Sequence, residues 1–433
     1  MPSRTLLAAL GVWLLCAFVA AWSPDFVLPW TVFGIVMGLW AFSDFWLARW
    51  QAPPAMQRVV NSSLPLGEWS HAELRLHWSG SVPHHVEMFD HVPAQFEQQG
   101  LPAHIDTRRG NSFAVRYRIR PLARGDHLFD GVALRVCSPW RAWQRQLRLG
   151  EAHPVKVYPN FAPLARDALR AIDHRQSQTG LLRRRRRGQG MDFAQLREYR
   201  EGDSLRQIDW KATSRIGKII SREYQEYRDQ RIFLLIDCGR RMGARDGALS
   251  HFDHSLDAAL MLAYVGLRHG DNVGLMTLGG PERLVPPQRS AGMVSRLLHA
   301  TYDLQPTLHA SDFERAAQRL MEHERKRALV VILTNLRDED DQSLRAATHL
   351  LQQRHLVLVA SLREPALDRM PSQAIDSLHD AASAAAAVGY RHLREAALQR
   401  LRASGVLCLD VVPEMLAVET VNRYLAIKAA NML

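Results

Sequence analysis

Two uncharged apolar runs, Leu6–Trp22 and Phe26–Ser43, stand near the start of the chain, separated by Ser23-Pro24-Asp25. Each is long enough to cross a hydrocarbon core as a helix. Trp22, Trp30, Trp40, Trp46 and Trp50 lie near the run ends, where interfacial aromatics collect. The pattern predicts a transmembrane helical hairpin over residues 1–50. A cleaved signal peptide also begins with a basic residue and an apolar stretch. Here, however, no clean Ala-x-Ala site follows and a second run comes at once. Arg4 precedes the first run, Arg49 and Arg58 follow the second, and the connecting loop carries only Asp25. The positive-inside rule then places both ends, and everything after residue 50, on the cytoplasmic side.

From 55 to 160 the period is two. Ala72, Leu74, Leu76 and Trp78 alternate with Glu73, Arg75 and His77. Phe113, Val115, Tyr117 and Ile119 alternate with Ala114, Arg116, Arg118 and Arg120, and Val132, Leu134 and Val136 with Ala133, Arg135 and Cys137. Half-buried antiparallel strands have this pattern, and a small β-sandwich is expected. His71, His77, His84, His85, His91 and His104 show no metal-ligand spacing and are read as solvent-facing.

From 231 to 433 the pattern changes. Ile232–Ile236, Val273–Leu278, Leu329–Leu333, Leu356–Ala360 and Val406–Leu409 are unbroken apolar runs of strand length, as in strands covered on both faces. Helical spacing separates them, in Phe252, Leu256, Ala259, Leu260, Ala263 and Leu267, and in the alanine- and leucine-rich stretch Ser372–Arg402, stopped by Gly405. The order is βαβ, so the fold class is α/β, a doubly wound parallel sheet with helices on both faces. Glu282–Val285 is read as a short antiparallel edge and Pro413 as the start of the last helix.

Between these regions, 161–230 is a basic connector. Five arginines, Arg183–Arg187, begin a stretch that holds more than half of the net charge of +11. A solvated loop drawn to anionic lipid is the first reading. Nucleic-acid binding is the other, and no aromatics interleave the run to favour it. At 433 residues, with 47% hydrophobic and 23% charged residues, wholesale disorder is excluded. Four scattered cysteines form no CxxC, which excludes a disulfide framework and a cysteine zinc site.

The remaining chemistry lies in two places. The segment Phe193 to Arg215 mixes Arg197, Asp203, Arg206, Asp209 and Arg215 with Leu196, Tyr199, Ile208 and Trp210, around Gly202. Its carboxylates and guanidiniums suit a charge-assisted network, with Asp209 paired to Arg206 or Arg215 and Trp210 packed onto the next domain. The second place is the carboxyl ends of the parallel strands, where such sheets bind ligands. Strand one ends in Asp237-Cys-Gly-Arg-Arg-Met242, Ser311-Asp312 precedes a helix, and Leu333-Thr-Asn-Leu336 closes a later strand. No phosphate loop and no GxSxG elbow occurs.

The pattern Leu196-Arg-Glu-Tyr199, Gly202-Asp203, Arg206, Ile208-Asp-Trp210 and Arg215, then Asp237-x-Gly-Arg-x-Met242, resembles the bacterial family catalogued as domain of unknown function fifty-eight. Ser138-Pro139-Trp140 and Tyr158-Pro159 are similar too. The resemblance implies a membrane hairpin, a β-rich section and a von Willebrand factor A-like domain, hence a bacterial inner-membrane protein associated with a MoxR-type AAA+ ATPase. Such domains often hold Mg²⁺ through Asp-x-Ser-x-Ser, a threonine and a later aspartate. Matched position by position, Asp237 stays, Gly239 and Arg241 replace the serines, Ser311 takes the threonine's place and Asn335 the aspartate's. The metal position is therefore degenerate, and Arg240, Arg241 or a basic residue of 197–215 is expected to neutralise Asp237. The expected function is a non-catalytic adaptor presenting clients to the ATPase. The alternatives are a metal-dependent enzyme and a polyanion- or lipid-binding protein.

Overall fold

Two long apolar helices, α1 (Arg4–Trp22) and α2 (Val27–Trp50), form the hairpin. The hydroxyl of Ser3 caps α1 by accepting the Leu6 N–H at 3.2 Å. The rings of Trp13 and Trp30 stack across the hairpin with centroids 4.9 Å apart. The indole N–H of Trp13 donates to the Trp30 carbonyl at 3.3 Å, and that of Trp30 to the Trp13 carbonyl at 3.1 Å. Gly34 makes this approach possible, because a Cβ there would lie 2.8 Å from the Trp13 indole. Small residues serve this purpose where membrane helices meet. This is a computed structural model of the chain, described for all residues except 81, 84, 108–109, 162–191, 200–207, 226–229, 248, 291, 338, 340 and 373. The expectations placed on Arg183–Arg187 and on His84 lie outside the described residues.

The hairpin belongs to the first of two compact units, Met1–Tyr158, with eleven strands among the described residues. They are β1 (Ala55–Val59), β2 (Ser63–Pro65), β3 (Ser70–His77), β4 (Val86–Asp90), β5 (Phe96–Gln99), β6 (Ala103–Ile105), β7 (Ser112–Pro121), β8 (Gly125–Phe129), β9 (Val132–Cys137), β10 (Gln144–Leu149) and β11 (His153–Tyr158). Two four-stranded sheets run β1-β3-β7-β5 and β10-β9-β4-β6, and a third runs β2-β11-β8. The period of two has its expected cause. Ala72, Leu74 and Leu76 are buried while Arg75 and His77 are exposed. Arg58, one of the basic residues that follow the second run, is drawn into the β section. Its side chain is buried and binds Asp90 at 2.6 Å, and the Tyr117 hydroxyl donates to the same carboxylate.

Asp44, the acid within α2, is 0% exposed. Its carboxylate accepts N–H groups from Trp140 at 2.9 Å and Ala142 at 2.8 Å, and the Ser138 hydroxyl. The Trp143 indole donates to the Ala41 carbonyl at 2.7 Å. Near α1, Ser3 donates its N–H to the Ala142 carbonyl at 2.9 Å. Both helices are thus bonded to the turn between β9 and β10.

The second unit, Pro159–Leu433, contains a two-stranded hairpin, β12 (Asp192–Glu198) with β13 (Ile220–Gln225), around α3 (Trp210–Ile216). Its main sheet has β14 (Arg231–Asp237), β15 (Asn272–Leu278), β16 (Leu284–Gln288), β17 (Leu329–Thr334), β18 (Leu356–Leu362) and β19 (Leu407–Val411), ordered β16-β15-β14-β17-β18-β19. All neighbours are parallel except β15 and β16. The helices are α4 (His251–Arg268), α5 (Met293–Thr301), α6 (Phe313–His323), α7 (Asp341–Gln352), α8 (Pro365–Arg369), α9 (Leu378–Ala403) and α10 (Leu416–Ala429). Ile232, Leu234 and Ile236 pack with Phe252, Leu256 and Tyr424, whereas Phe233 and Leu235 pack with Phe313, Leu320, Leu344 and Leu398. Successive side chains of a strand point to opposite faces, so a helix layer on each face makes the run apolar throughout.

Two boundaries move from their expected places. The antiparallel edge is Leu284–Gln288, not Glu282–Val285, and includes Pro286 and Pro287, which an edge tolerates because it has unpaired N–H positions. The long helix begins at Leu378, not Ser372, because Ser377 caps it by accepting the Asp380 N–H at 3.2 Å.

Candidate functional site

Asp237 ends β14 and is buried. Its Oδ1 accepts the Gly239 N–H at 2.7 Å and the Ser311 hydroxyl, and its Oδ2 accepts the Thr334 hydroxyl at 2.7 Å. These donors come from the loop after β14, the loop before α6 and the end of β17. Two glycines let backbone close over the carboxylate. A Cβ on Gly239 would lie 2.1 Å from Ser311 Oγ and 3.0 Å from Asp237 Oδ1. One on Gly279, where φ is +72°, would lie 2.6 Å from Ser311 Oγ. The flanking loop is zipped down by Thr307 N–H to the Cys238 carbonyl at 2.7 Å and Arg240 N–H to the His309 carbonyl at 2.9 Å. Burial pushes the Asp237 carboxyl above its usual range, against the opposing pull of Ser311, Thr334 and Gly239.

This geometry does not fit a divalent ion. Mg²⁺ requires near-octahedral oxygen ligands, and both Asp237 oxygens are already engaged by protein donors. Of the two other expected ligands, Ser311 joins Asp237. Asn335 is drawn elsewhere, giving its amide to Glu364 at 2.8 Å and to His251 Nδ1 at 3.3 Å. The expected arginine partner also differs. Arg240 and Arg241 both bind Glu339, at 2.9 and 2.7 Å. The charge of Arg241 also favours the ionised Asp237, after the hydrogen bonds of Ser311, Thr334 and Gly239.

Beside it lies a polar cluster that sequence reasoning missed. Arg394 of α9 is 4% exposed. It donates to Asn335 Oδ1 at 3.3 Å, Ser361 Oγ at 2.7 Å, the Leu362 carbonyl at 2.7 Å and Asp410 at 2.6 Å. It thereby gathers the ends of β17, β18 and β19. Glu364 receives Asn335 and Arg337, the latter at 2.9 Å. Burial opposes its charge, but these donors outweigh burial and hold its carboxyl below the usual range. The available signal was one arginine among the apolar positions of an alanine-rich helix, where a buried cation demands partners.

The signature segment is described in part. Asp209 caps α3, its Oδ1 accepting Lys211 and Ala212 N–H groups at 3.1 and 3.0 Å. Gly217 closes the helix at φ 73°. Ile208, Ala212 and Ile220 are the buried anchors. Trp210, expected to be packed, is 69% exposed. It is the first residue of a helix whose inward face is taken by Ala212. Leu196, Ile216 and Ile219 are exposed as well, as are Lys211 and Arg215, while exposed Lys218 is paired with Glu198 at 2.6 Å. Tyr199 donates its N–H to the Ile219 carbonyl at 2.9 Å. Arg197 pairs through its backbone with Ser221, while Gly202, Asp203 and Arg206 lie outside the described residues.

Residues 195–403 match the family described as "Protein of unknown function DUF58". "Uncharacterized protein YeaD" of Bacillus subtilis is 21% identical over 179 residues, 41% of this chain and 42% of that protein. "Uncharacterized protein Mb1516" of Mycobacterium bovis and "Uncharacterized protein Rv1480" of Mycobacterium tuberculosis are each 23% identical over 201 residues, 45% of this chain and 62% of theirs. The matches thus span about half the length of these relatives. Among solved structures, a cohesin module from a Clostridium perfringens family 33 glycoside hydrolase is 12% identical, covering 24% of this chain and 96% of its own, at a TM-score of 0.19, too low to bear on the fold. The span that is similar to the DUF58 family holds most of the signature hairpin, Asp237, Ser311, Asn335 and most of α9.

Proposed function

We propose that the chain is an adaptor anchored in the bacterial inner membrane, with its β section and its α/β domain in the cytoplasm, presenting client proteins to a MoxR-type AAA+ ATPase. The β section is read as a sandwich. The α/β domain is read as von Willebrand factor A-like. A central first strand ending in Asp237, parallel neighbours on both sides and one antiparallel edge support that reading. Arg4 and Arg49 flanking the hairpin support the orientation.

The observation that carries the adaptor reading is the surface of the signature hairpin. Leu196, Trp210, Ile216 and Ile219 are exposed together with basic neighbours. Large apolar side chains left exposed on one small hairpin favour an interaction site, and tryptophan and arginine dominate the energetic centres of interfaces. The fitting partner surface is an apolar pocket with an acidic rim. At the carboxyl edge of the main sheet Asp237 is already satisfied, which favours a binding role over metal-dependent chemistry.

The test is co-purification of the tagged full chain in mild detergent. An AAA+ ATPase should be enriched with the wild type and fall at least tenfold with Trp210→Ala, at an unchanged unfolding midpoint. Enrichment of no such ATPase, or capture indifferent to both Trp210→Ala and Ile216→Ser, would overturn the reading.

A further inference from the structure

We propose that the turn between β9 and β10, residues 138–143, together with the end of α2, forms a seat for anionic phospholipid headgroups, and that Asp44 holds this seat in place. The inference rests on the reading of α1 and α2 as a membrane hairpin and adds a second membrane contact to it, made by the β section.

Depth comes first. Val27 to Ser43 is about 25 Å of helix, against a hydrocarbon core of about 30 Å. With the 23–26 connection at one interface, Asp44 falls near the other. An ionisable side chain at that level needs partners, and Asp44 has three, all from one turn: Ser138, Trp140 and Ala142. Arg141, between the last two, has φ 60°. Its left-handed backbone turns two successive-but-one N–H groups toward one carboxylate, as in an anion-binding nest. Arg145 extends the junction by donating to the Gln51 carbonyl at 3.1 Å.

The clamp fixes what surrounds it. Trp46, Trp50 and Trp140 are exposed, and so are Arg4, Arg49, Arg141 and Arg145. The Arg141 guanidinium lies against His85. Aromatic rings and basic side chains at the level where a helix leaves the hydrocarbon are the chemistry of an anionic headgroup layer. Within α2 and residues 138–145 the one acid is Asp44, which is inside the protein, so the exposed charges of these two segments are basic. Trp140 is not part of either helix. Its place in this belt follows from the clamp alone.

Photo-crosslinking of the full chain in nanodiscs tests the proposal. A benzophenone amino acid is placed in turn at position 36 in α2, at 140, and at 128. Position 128 is exposed and lies two residues before the turn at the far end of β9, about 20 Å from the 138–143 turn along a six-residue strand. The bilayers are phosphatidylcholine alone or with phosphatidylglycerol. Position 36 should crosslink to lipid in both. Position 140 should crosslink at least fivefold above 128, rise with phosphatidylglycerol, and fall several-fold with Asp44→Ala while 36 is unchanged. Crosslinking at 36 with 140 no higher than 128 would overturn the seat and leave the hairpin standing. Equal yield at 140 in both bilayers would overturn the anionic headgroup as its partner. No crosslink at 36 would overturn the membrane reading and this inference with it. Should Asp44→Ala not accumulate, Arg141→Glu serves instead and should lower the yield at 140 in phosphatidylglycerol only.

Discussion

Asp44 and Asp237 are both buried carboxylates held by three protein donors, one in each unit, yet they do opposite things to their surroundings. Asp44 takes all its donors from a single turn, about a hundred residues away in sequence, and so joins a long helix to a β section. Asp237 takes one donor from each of three separate loops or strand ends and draws them together around itself. A buried charge satisfied by one distant segment is a joint. A buried charge satisfied by converging segments is a plug. The polar atoms are similar, and the topology of the donors decides the role.

The comparison can be broken most forcefully at the joint. Asp44→Ala leaves two N–H groups and a hydroxyl without their acceptor. Hydrogen bonds to charged groups contribute about 1.5–3 kcal/mol each, so a loss of about 3 kcal/mol or more is expected in the unfolding of the full chain in detergent. Rapid protease cleavage in 138–143 should accompany it. A wild-type cleavage rate and midpoint would mean that the turn holds itself. Truncation at residue 50 removes the same partner and should expose the same turn.

At the plug, Gly239→Ser restores a hydroxyl that the resemblance calls for, but the space is already occupied by Ser311. Overpacking of this kind costs about 1–3 kcal/mol, and adding Ser311→Gly should recover part of it. Millimolar Mg²⁺ should leave the wild-type melting temperature unchanged. A saturable Mg²⁺ stabilisation, lost in Asp237→Ala, would show a metal site in place of a plug.

A subtler difference is in pH. Burial raises the Asp237 carboxyl in the folded chain, so the native state holds its proton more tightly than the unfolded state does. Stability from this group is greatest below the ordinary carboxylate range and falls as pH rises through the raised value. Asp237→Asn should flatten that slope in an unfolding series from about pH 4 to 7. A wild-type stability that climbs with pH, with the same slope in the variant, would contradict this account. The smallest stability effect is expected at Trp210, where replacing an exposed ring with alanine should move the midpoint by no more than about 0.5 kcal/mol. A larger shift would mean that the ring is packed.

The main sheet could be read from the chain because helices cover both faces and make its strands continuously apolar. Ile232–Ile236 and Leu329–Leu333 fall within β14 and β17 for that reason. The hairpin was legible in the same way. What was not legible depended on partners far away in sequence. Asp44 stands one residue beyond an apolar run, and nothing nearby indicates that residues 138–142 will enclose it. Arg394 stands out only as one arginine among apolar positions of an alanine-rich helix, and its partners at three strand ends are far away in sequence. Trp210 was misjudged because a large apolar side chain is usually an anchor. The cap at Asp209 sets the helix so that the smaller Ala212 faces inward. At Asp237 the missing ligand types were visible, but not that Ser311 would fill the space they left.

The contact between Ser3 and the Arg141 carbonyl spans 138 residues, and this separation has a consequence for synthesis. A ribosome adding about 5–20 residues per second needs on the order of ten seconds to deliver Arg141 after Ser3. For most of that interval α1 and α2 have been made, with Trp13 and Trp30 able to pair, while the turn that will enclose Asp44 does not yet exist. The hairpin is therefore the older surface, and the β9–β10 turn takes its shape against it on arrival.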